Sequence, residues 1–240
     1  MKPRLLENPP LTEVVFDLRT TVSQDIKIEQ LEELHGQMKK EYPEKKSIYI
    51  GQVELKNDKP GSILAKHLHS GFRFTSENGN RIVQCRQDGF TFNQLKHYPG
   101  WNDAIDEARK LWGLYKATLM PEARRVAVRS INKIEFPCFP DKILEYVSIF
   151  PKFPDDFPLV ENSVVQSQFS YPGGIKAIIT EKIIFESPIT SFLLDIDVFL
   201  NFETGIIDEE HIWNSFDKIR EIKNKVFFGC ISEKGGEELK

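Results

Sequence analysis

The chain has 240 residues, enough for one large domain or two small ones, and 40% are hydrophobic, so it can bury a substantial core. Its 32 Lys and Arg against 36 Asp and Glu give a net charge of -4, which excludes a polycation that binds nucleic acid through overall charge. Residues 1–120 carry 18 basic and 16 acidic side chains (+2), and residues 121–240 carry 14 and 20 (-6). A nucleic-acid surface would therefore have to be a local basic face.

The first half of the chain predicts a strand, a helix, four strands and a long helix. Alternating or helical spacing of apolar residues predicts strands at 12–20, 47–55, 71–76, 81–87 and 90–95, and helices at 24–42 and 101–120. The turn signals ENGN and DG separate the last three strands, which indicates an antiparallel meander. Residues 56–71 are polar and contain Gly and His, which predicts an irregular connection.

The second half repeats this order with a shorter helix and fewer strands. The pattern predicts strands at 124–137, 163–171, 175–186 and 191–203, a short helix at 141–150 and a long one at 208–231. The long helix places Ile212, Phe216, Ile219 and Lys223 along one face. The closing EKGGEELK is polar, as is typical of a dispensable terminus.

These elements indicate an α+β fold with two tandem strand-helix-sheet-helix units, residues 1–123 and 124–240. Each unit predicts an antiparallel sheet with a long helix across one face, and the two would join into one compact body. The element order resembles that of the TATA-binding-protein-like fold. That likeness concerns architecture and carries no function.

The cysteines, the start of the chain and its apolar stretches indicate the cellular compartment. Cys85, Cys138 and Cys230 are an odd number without CxxC spacing, which argues against a disulfide framework and a zinc site. The start has no apolar signal core, and no apolar stretch reaches the roughly 18 residues of a membrane-spanning helix. We therefore expect a cytoplasmic protein with no membrane association.

Four segments together resemble a protein family. They are NPPLTEVVFDLR, GFTFNQLKHYPGWNDAIDEARKLWGLY, VAVRSINKIEFP and LLDIDVF, and the likeness runs from residue 8 to about residue 230. The family consists of uncharacterised bacterial proteins of similar length and sporadic distribution. Where the family style is RYINRI, this chain has RSINKI, so Ser130 replaces a tyrosine and Lys133 an arginine. The resemblance implies the architecture, a cytoplasmic setting and an accessory role, such as in a defence or toxin-antitoxin system.

Asp195 and Asp197 stand two positions apart in the apolar run SFLLDIDVFLNFE. Because successive side chains of a strand alternate between faces, both carboxylates share one face while Leu194, Ile196 and Val198 point to the other. Two carboxylates could ligate Mg²⁺, but metal-dependent phosphoryl chemistry needs further ligands that the sequence does not place. We favour a solvent-facing pair that meets a basic neighbour.

The basic neighbour is the strand RRVAVRSINKI. Arg129 and Lys133 share one face of it, so an ion-pair network with Asp195 and Asp197 is the economical interpretation. The alternative is a ligand site, since an Arg fork binds phosphate or carboxylate in a bidentate manner. Arg86 belongs to the same candidate set, because polar and basic groups beside Phe rings on an open sheet face can hold single-stranded nucleic acid.

Residues 136–163 are rich in proline and aromatic side chains and cannot form continuous helix or sheet. This segment is either a connection wrapped over the core or a recognition loop for a protein partner, because rigid aromatic side chains are favoured at interfaces. The candidate partner-binding residues are Phe136, Phe139, Phe150, Phe153 and Phe157.

The sequence contains no complete catalytic, metal or cofactor motif, so we predict no catalytic residue, metal or cofactor. The favoured function is a noncatalytic module that binds a protein partner. The first alternative is binding of nucleic acid or nucleotide phosphate by the open sheet face, and the second is a metal-dependent enzyme that uses Asp195 and Asp197. The oligomeric state is left open.

Overall fold

The structure, a computed structural model, describes residues 6, 9–21, 27–55, 63–137, 140–186 and 189–239. At residues 52–55, 63–67 and 140 only the backbone is described. In these ranges no helix is both long enough and apolar enough to cross a bilayer.

Nine strands and four α-helices make up the described chain, with two short 3-10 helices at Pro140–Glu145 and Pro172–Gly174. The strands are β1 (Leu11–Thr20), β2 (Glu44–Leu55), β3 (Ile63–Thr75), β4 (Arg81–Arg86), β5 (Gly89–Gln94), β6 (Ala123–Phe136), β7 (Asn162–Ser170), β8 (Lys176–Glu186) and β9 (Ile189–Ile206). The helices are α1 (Ile28–Met38), α2 (Trp101–Leu119), α3 (Glu209–Cys230) and α4 (Glu233–Glu237).

The strands are hydrogen-bonded in the order β2-β3-β4-β5-β1-β6-β9-β8-β7, so β2 and β7 are the edge strands. The meander from β2 to β5 and the pairs β7/β8 and β8/β9 are antiparallel. The predicted α+β class with an antiparallel sheet is therefore confirmed.

By their internal contacts the residues form two units. The α2 unit comprises residues 16–124 and 203–207, and the α3 unit comprises residues 1–15, 125–202 and 208–240. Strand β1 is thus divided between the units after Val15.

An aromatic cluster forms the core of the α2 unit. The ring centroids of Phe16 and Trp101, at the start of α2, lie 5.2 Å apart. Phe90 packs edge-on against Trp112, with 5.9 Å between the ring centroids. His35 of α1 stacks on Phe74 of β3. Helices α1 and α2 therefore cover the same face of these strands, because the apolar stripes at helical spacing meet the apolar face of the meander.

The core of the α3 unit is built from the alternating strands β6, β8 and β9 under α3. Every second residue of β9 from Thr190 to Val198 is buried, and Phe192 stacks on Phe136 of β6 at 6.2 Å. The apolar stripe of α3 supplies Ile212, Phe216 and Ile219 to this core. The predicted faces of β9 and of the long helix are confirmed.

Three local predictions differ from the structure. The connection predicted for residues 56–71 is wrong from Ile63 onward, because β3 begins there and pairs with β2 as far as Leu55. The short helix predicted at 141–150 is a 3-10 helix that ends at Glu145. The closing segment is not a free polar tail: α4 forms there behind its N-cap Ser232, and Gly235 is buried.

Candidate functional site

Two arginine-aspartate pairs occupy one face of the α3 unit. Strand β9 presents Asp195 and Asp197, and β6 presents Arg125 and Arg129. Arg129 donates from Nε to Asp195 Oδ1 at 2.8 Å and from Nη2 to Asp195 Oδ2, which is a bidentate fork. Arg125 donates from Nη2 to Asp197 Oδ2 at 3.1 Å. Of the pairs expected from the sequence, Arg129–Asp195 forms, whereas Asp197 pairs with Arg125 and Lys133 pairs with Glu135.

This arrangement leaves neither carboxylate as a bare metal ligand. Each carboxylate of the pair already has a guanidinium beside it, and a divalent cation would have to displace that positive charge. No group of three His, Cys, Asp or Glu side chains with metal-binding geometry occurs in the described ranges. The further ligand that metal-dependent chemistry at Asp195 and Asp197 requires is thus not supplied by the described neighbours.

The cations of β6 are neutralised in the same way. The Asp195 carboxylate, through its hydrogen bond, raises the pKa of Arg129, whose side chain remains half exposed. Lys133 donates to Glu135 at 2.8 Å on the solvent side of the strand. The guanidinium of Arg125 also lies 4.5 Å from the ring centroid of Phe199. The β6 face therefore presents paired charges rather than a phosphate track.

Arg86 belongs to the α2 unit and is only 8% exposed. Its guanidinium donates to Asp88 Oδ1 at 3.2 Å, to Thr91 Oγ1 at 3.1 Å and to Asp17 Oδ1 at 3.4 Å. Tyr115 donates to the Arg86 carbonyl at 2.8 Å. These contacts hold β1, β4 and β5 together, so the donors of Arg86 serve the fold.

The α2 unit also has a polar depression of about 400 Å³ next to the β3–β4 turn. Lys40, Glu41, Ser76, Glu77, Asn78 and Arg81 line it. Arg81 donates to Glu107 Oε1 at 3.4 Å, and Glu41 accepts from Lys110 at 2.8 Å. Mixed and internally paired charges do not make it selective for an anion or a cation.

The predicted partner-binding phenylalanines separate into core and surface residues. Phe136 is fully buried and packs against Tyr146 at 4.9 Å, so it belongs to the core. Phe150 is half-buried and meets Phe153 edge-on at 5.8 Å. Phe153 is 38% exposed and Phe157 is 59% exposed. Phe139 lies outside the described residues.

The exposed part of this segment is the aromatic loop, defined here as residues 149–159. It contains no helix or strand, and a backbone hydrogen bond from Phe157 to the Pro154 carbonyl closes one turn. Besides Phe153 and Phe157, it exposes Ile149 (41%) and Leu159 (84%). A search of the sequence for aromatic rings alone missed these two aliphatic side chains. The proline that follows each neighbouring phenylalanine nevertheless indicated that the region lies outside the core.

The α3 unit also holds three titratable groups that the sequence did not single out as a site: Glu181 and Cys230 are buried, and Lys223 is partly buried. Glu181 of β8 is 3% exposed, and its Oε1 has no hydrogen-bond partner among the described residues. Burial raises the pKa of Glu181, opposed by a hydrogen bond with Cys230. Burial, and then the neighbouring Glu181, raise the pKa of Cys230 to about 12. Burial lowers the pKa of Lys223 to about 8.

These shifts argue against a cysteine nucleophile. The thiolate is the reactive form, and a thiol whose pKa is about 12 is almost wholly protonated at neutral pH. Burial also raises the pKa of Cys85 to about 12. Both cysteines of the described chain are therefore inert core residues.

No protein-family model matches the chain, and the comparison with curated proteins found no relative.

Proposed function

We propose that the chain is a noncatalytic module that binds a protein partner through the aromatic loop. The observation that carries this proposal is the exposure of four apolar side chains, Ile149, Phe153, Phe157 and Leu159, within eleven residues of irregular chain. Apolar side chains on surface loops, aromatic rings above all, contribute strongly to interfaces because they bury area at low entropic cost.

The charges around the loop define the partner surface further. Asp155, Asp156 and Glu161 are exposed against a single exposed cation, Lys152, so the rim of the loop is acidic. Complementary charge steers association and selects partners. The matching partner surface is an apolar cleft with a basic rim.

The two alternatives have weaker support. Binding of nucleic acid through the open sheet face would draw on Arg129 and Lys133, and both already pair with carboxylates of this chain. A metal-dependent enzyme would use Asp195 and Asp197, which hold Arg129 and Arg125. A nucleic acid or metal would therefore first have to break existing pairs.

The wider setting rests on different grounds. A cytoplasmic role in a bacterial defence or toxin-antitoxin system follows from the resemblance of four sequence segments alone. The tandem relation of the two halves rests on element order, since each contains a run of antiparallel strands followed by a long helix, of 19 residues in α2 and 22 in α3. The cellular setting and the tandem relation of the two halves both stay proposals.

Paired substitutions test the role of the loop. The chain is expressed in its natural host with an N-terminal affinity tag, and captured proteins are quantified by mass spectrometry. We expect F153S/F157S to reduce the bound partner at least tenfold, because two interface anchors are each worth about 2 kcal/mol. The control is M120S/I207S, which removes two apolar side chains outside the loop that are even more exposed, Met120 at 83% and Ile207 at 66%.

The control decides how the result is interpreted. Equal thermal melts of all three proteins show that the fold is intact. Retention of the partner by the loop variant, or an equal loss in the control, would contradict the proposal.

A further inference from the structure

Strand β7 is an unprotected edge of the sheet. It pairs with β8 on one side, and no described residue hydrogen-bonds to its outward backbone. Its nine residues, NSVVQSQFS, contain neither a charge nor a proline. Val164 and Phe169 are 60% and 42% exposed. An edge of this kind is a template for pairing with another strand.

The opposite edge strand, β2, shows the protection that β7 lacks. It carries Glu44, Lys45 and Lys46 at its start, and its register with β3 shifts between Ile48 and Tyr49. Charged side chains and irregular register are common devices that stop sheets from adding strands. The charges and the register shift disfavour strand addition at β2, and β7 has neither feature.

The absence of charge makes a second copy of β7 a suitable partner strand. In an antiparallel pair formed by two copies of one strand, the residues beside the two-fold axis lie close to their symmetry mates, so a charge near the axis would meet a like charge. A nine-residue overlap of Asn162–Ser170 with itself places the two-fold axis at Gln166. Val164 then faces Gln168 of the other copy, and Ser163 faces Phe169. No like charges meet along the strand in this register.

We propose that two copies of this chain pair through β7 in an antiparallel, two-fold arrangement centred on Gln166. The interface goes beyond the proposed partner binding, because it uses the backbone edge of β7 rather than the side chains of residues 149–159. The outward amide and carbonyl groups of β7 would then be satisfied by their symmetry mates.

One substitution tests the pairing directly. Gln166 is exposed, and among the described residues its side chain donates only to Thr180 Oγ1, at 2.9 Å, so we expect its replacement to leave the fold intact. Q166K would place two lysines opposite each other at the axis. The control is S47K, which adds the same charge at an exposed position of β2.

The measurement is sedimentation velocity from about 1 to 200 μM, a range in which a weak dimer dissociates on dilution. We expect wild type and S47K to form dimers, and Q166K to weaken the association at least tenfold. A 1:1 mixture of Q166K with Q166E should restore the dimer, because opposite charges then meet at the axis.

Each contrary result overturns the proposal. A wild-type protein that stays monomeric throughout the concentration range would show that β7 does not pair with a second copy. An extended segment of another protein would then be the candidate for the β7 edge. A dimer that Q166K leaves unchanged, or that S47K weakens equally, would place the interface elsewhere. Failure of the Q166K and Q166E mixture to associate would exclude the register centred on Gln166.

Discussion

Lys223 interrupts the buried stripe of α3. The stripe runs through Ile212, Phe216 and Ile219 and resumes at Val226, so helical spacing turns Lys223 toward the sheet. Burial disfavours the ammonium form, Arg220 adds like charge, and together they lower the pKa of Lys223 to about 8. No ion pair involving Lys223 is found within the described chain. The lysine therefore costs stability at neutral pH.

Replacing this lysine with an apolar residue should stabilise the protein in a pH-dependent way. In the unfolded chain the amine keeps a pKa near 10.5, so below pH 8 it is charged in both states and the folded state bears the penalty. We expect K223M to raise the free energy of unfolding by about 2 kcal/mol at pH 7. Between pH 8 and 10.5 only the folded state loses its proton, so the wild type gains stability and the advantage of K223M shrinks.

Urea unfolding of both proteins at a series of pH values measures this difference. K225M, which alters an exposed lysine on the same helix, is the control and should change stability little. A K223M advantage that is absent at pH 7, or that grows above pH 8, would contradict the account.

At the residue scale, the sequence predicted which face of a strand a residue occupies better than it predicted which side chains surround that residue. Alternation in β6 and β9 put Arg129 and Asp195 on a shared face, because the period of two follows from strand geometry. The sequence could not show that Glu181 would lie beneath α3 beside Cys230, because that pairing depends on how the helix crosses the strands. Lys223 was visible as a polar residue in an apolar stripe, but only packing shows that it is partly buried.

At the scale of elements, a close backbone approach fixes the pairing of β3 with β4. Gly71 faces Arg86 across the pair and has φ of 157°. A Cβ on Gly71 would lie 2.1 Å from the Cys85 carbonyl oxygen and 2.7 Å from the Arg86 Cα. Both contacts are with backbone, which cannot rotate away as a side chain could. Only glycine fits at this position.

We therefore predict that G71A lowers the free energy of unfolding by at least about 2 kcal/mol, because the strands must separate to accept the methyl group. The control is G51A: Gly51 in β2 is exposed, and a Cβ there would meet no atom within 4 Å. Chemical denaturation of the three proteins compares them. Equal stability of G71A and the wild type would show that β3 and β4 do not approach as described.

The elements that the sequence missed share a physical cause. The first part of β3 contains Lys66, His67 and His69 and lacks a strong apolar alternation, and it becomes strand because β2 supplies its hydrogen bonds. Helix α4 contains two glycines, which disfavour helix. It forms because the Ser232 hydroxyl accepts from the Gly235 amide at 3.0 Å and Lys234 pairs with Glu145. Contacts with residues distant in sequence therefore determine the secondary structure of both segments.

At the scale of the whole molecule, the surface chemistry discriminates between the candidate functions. The exposed cations of β6 are paired with carboxylates, and the net charge of -4 gives no general attraction for phosphate. Within residues 149–159, by contrast, the apolar side chains of Phe157 and Leu159 remain mostly exposed. A large apolar surface on a loop marks an interaction site when it is rimmed by polar groups.

The most direct measurement is a capture experiment across a salt series, with the N-terminally tagged chain expressed in its natural host. Protein in each eluate is quantified by mass spectrometry, and nucleic acid by staining. At about 1 M salt the Debye length falls to roughly 3 Å, so electrostatic contacts weaken while apolar burial persists. We predict a stoichiometric protein partner that remains bound at high salt, without nucleic acid. Nucleic acid that dissociates as salt rises, with no stoichiometric protein, would contradict the proposed function and direct attention to Arg129 and Lys133.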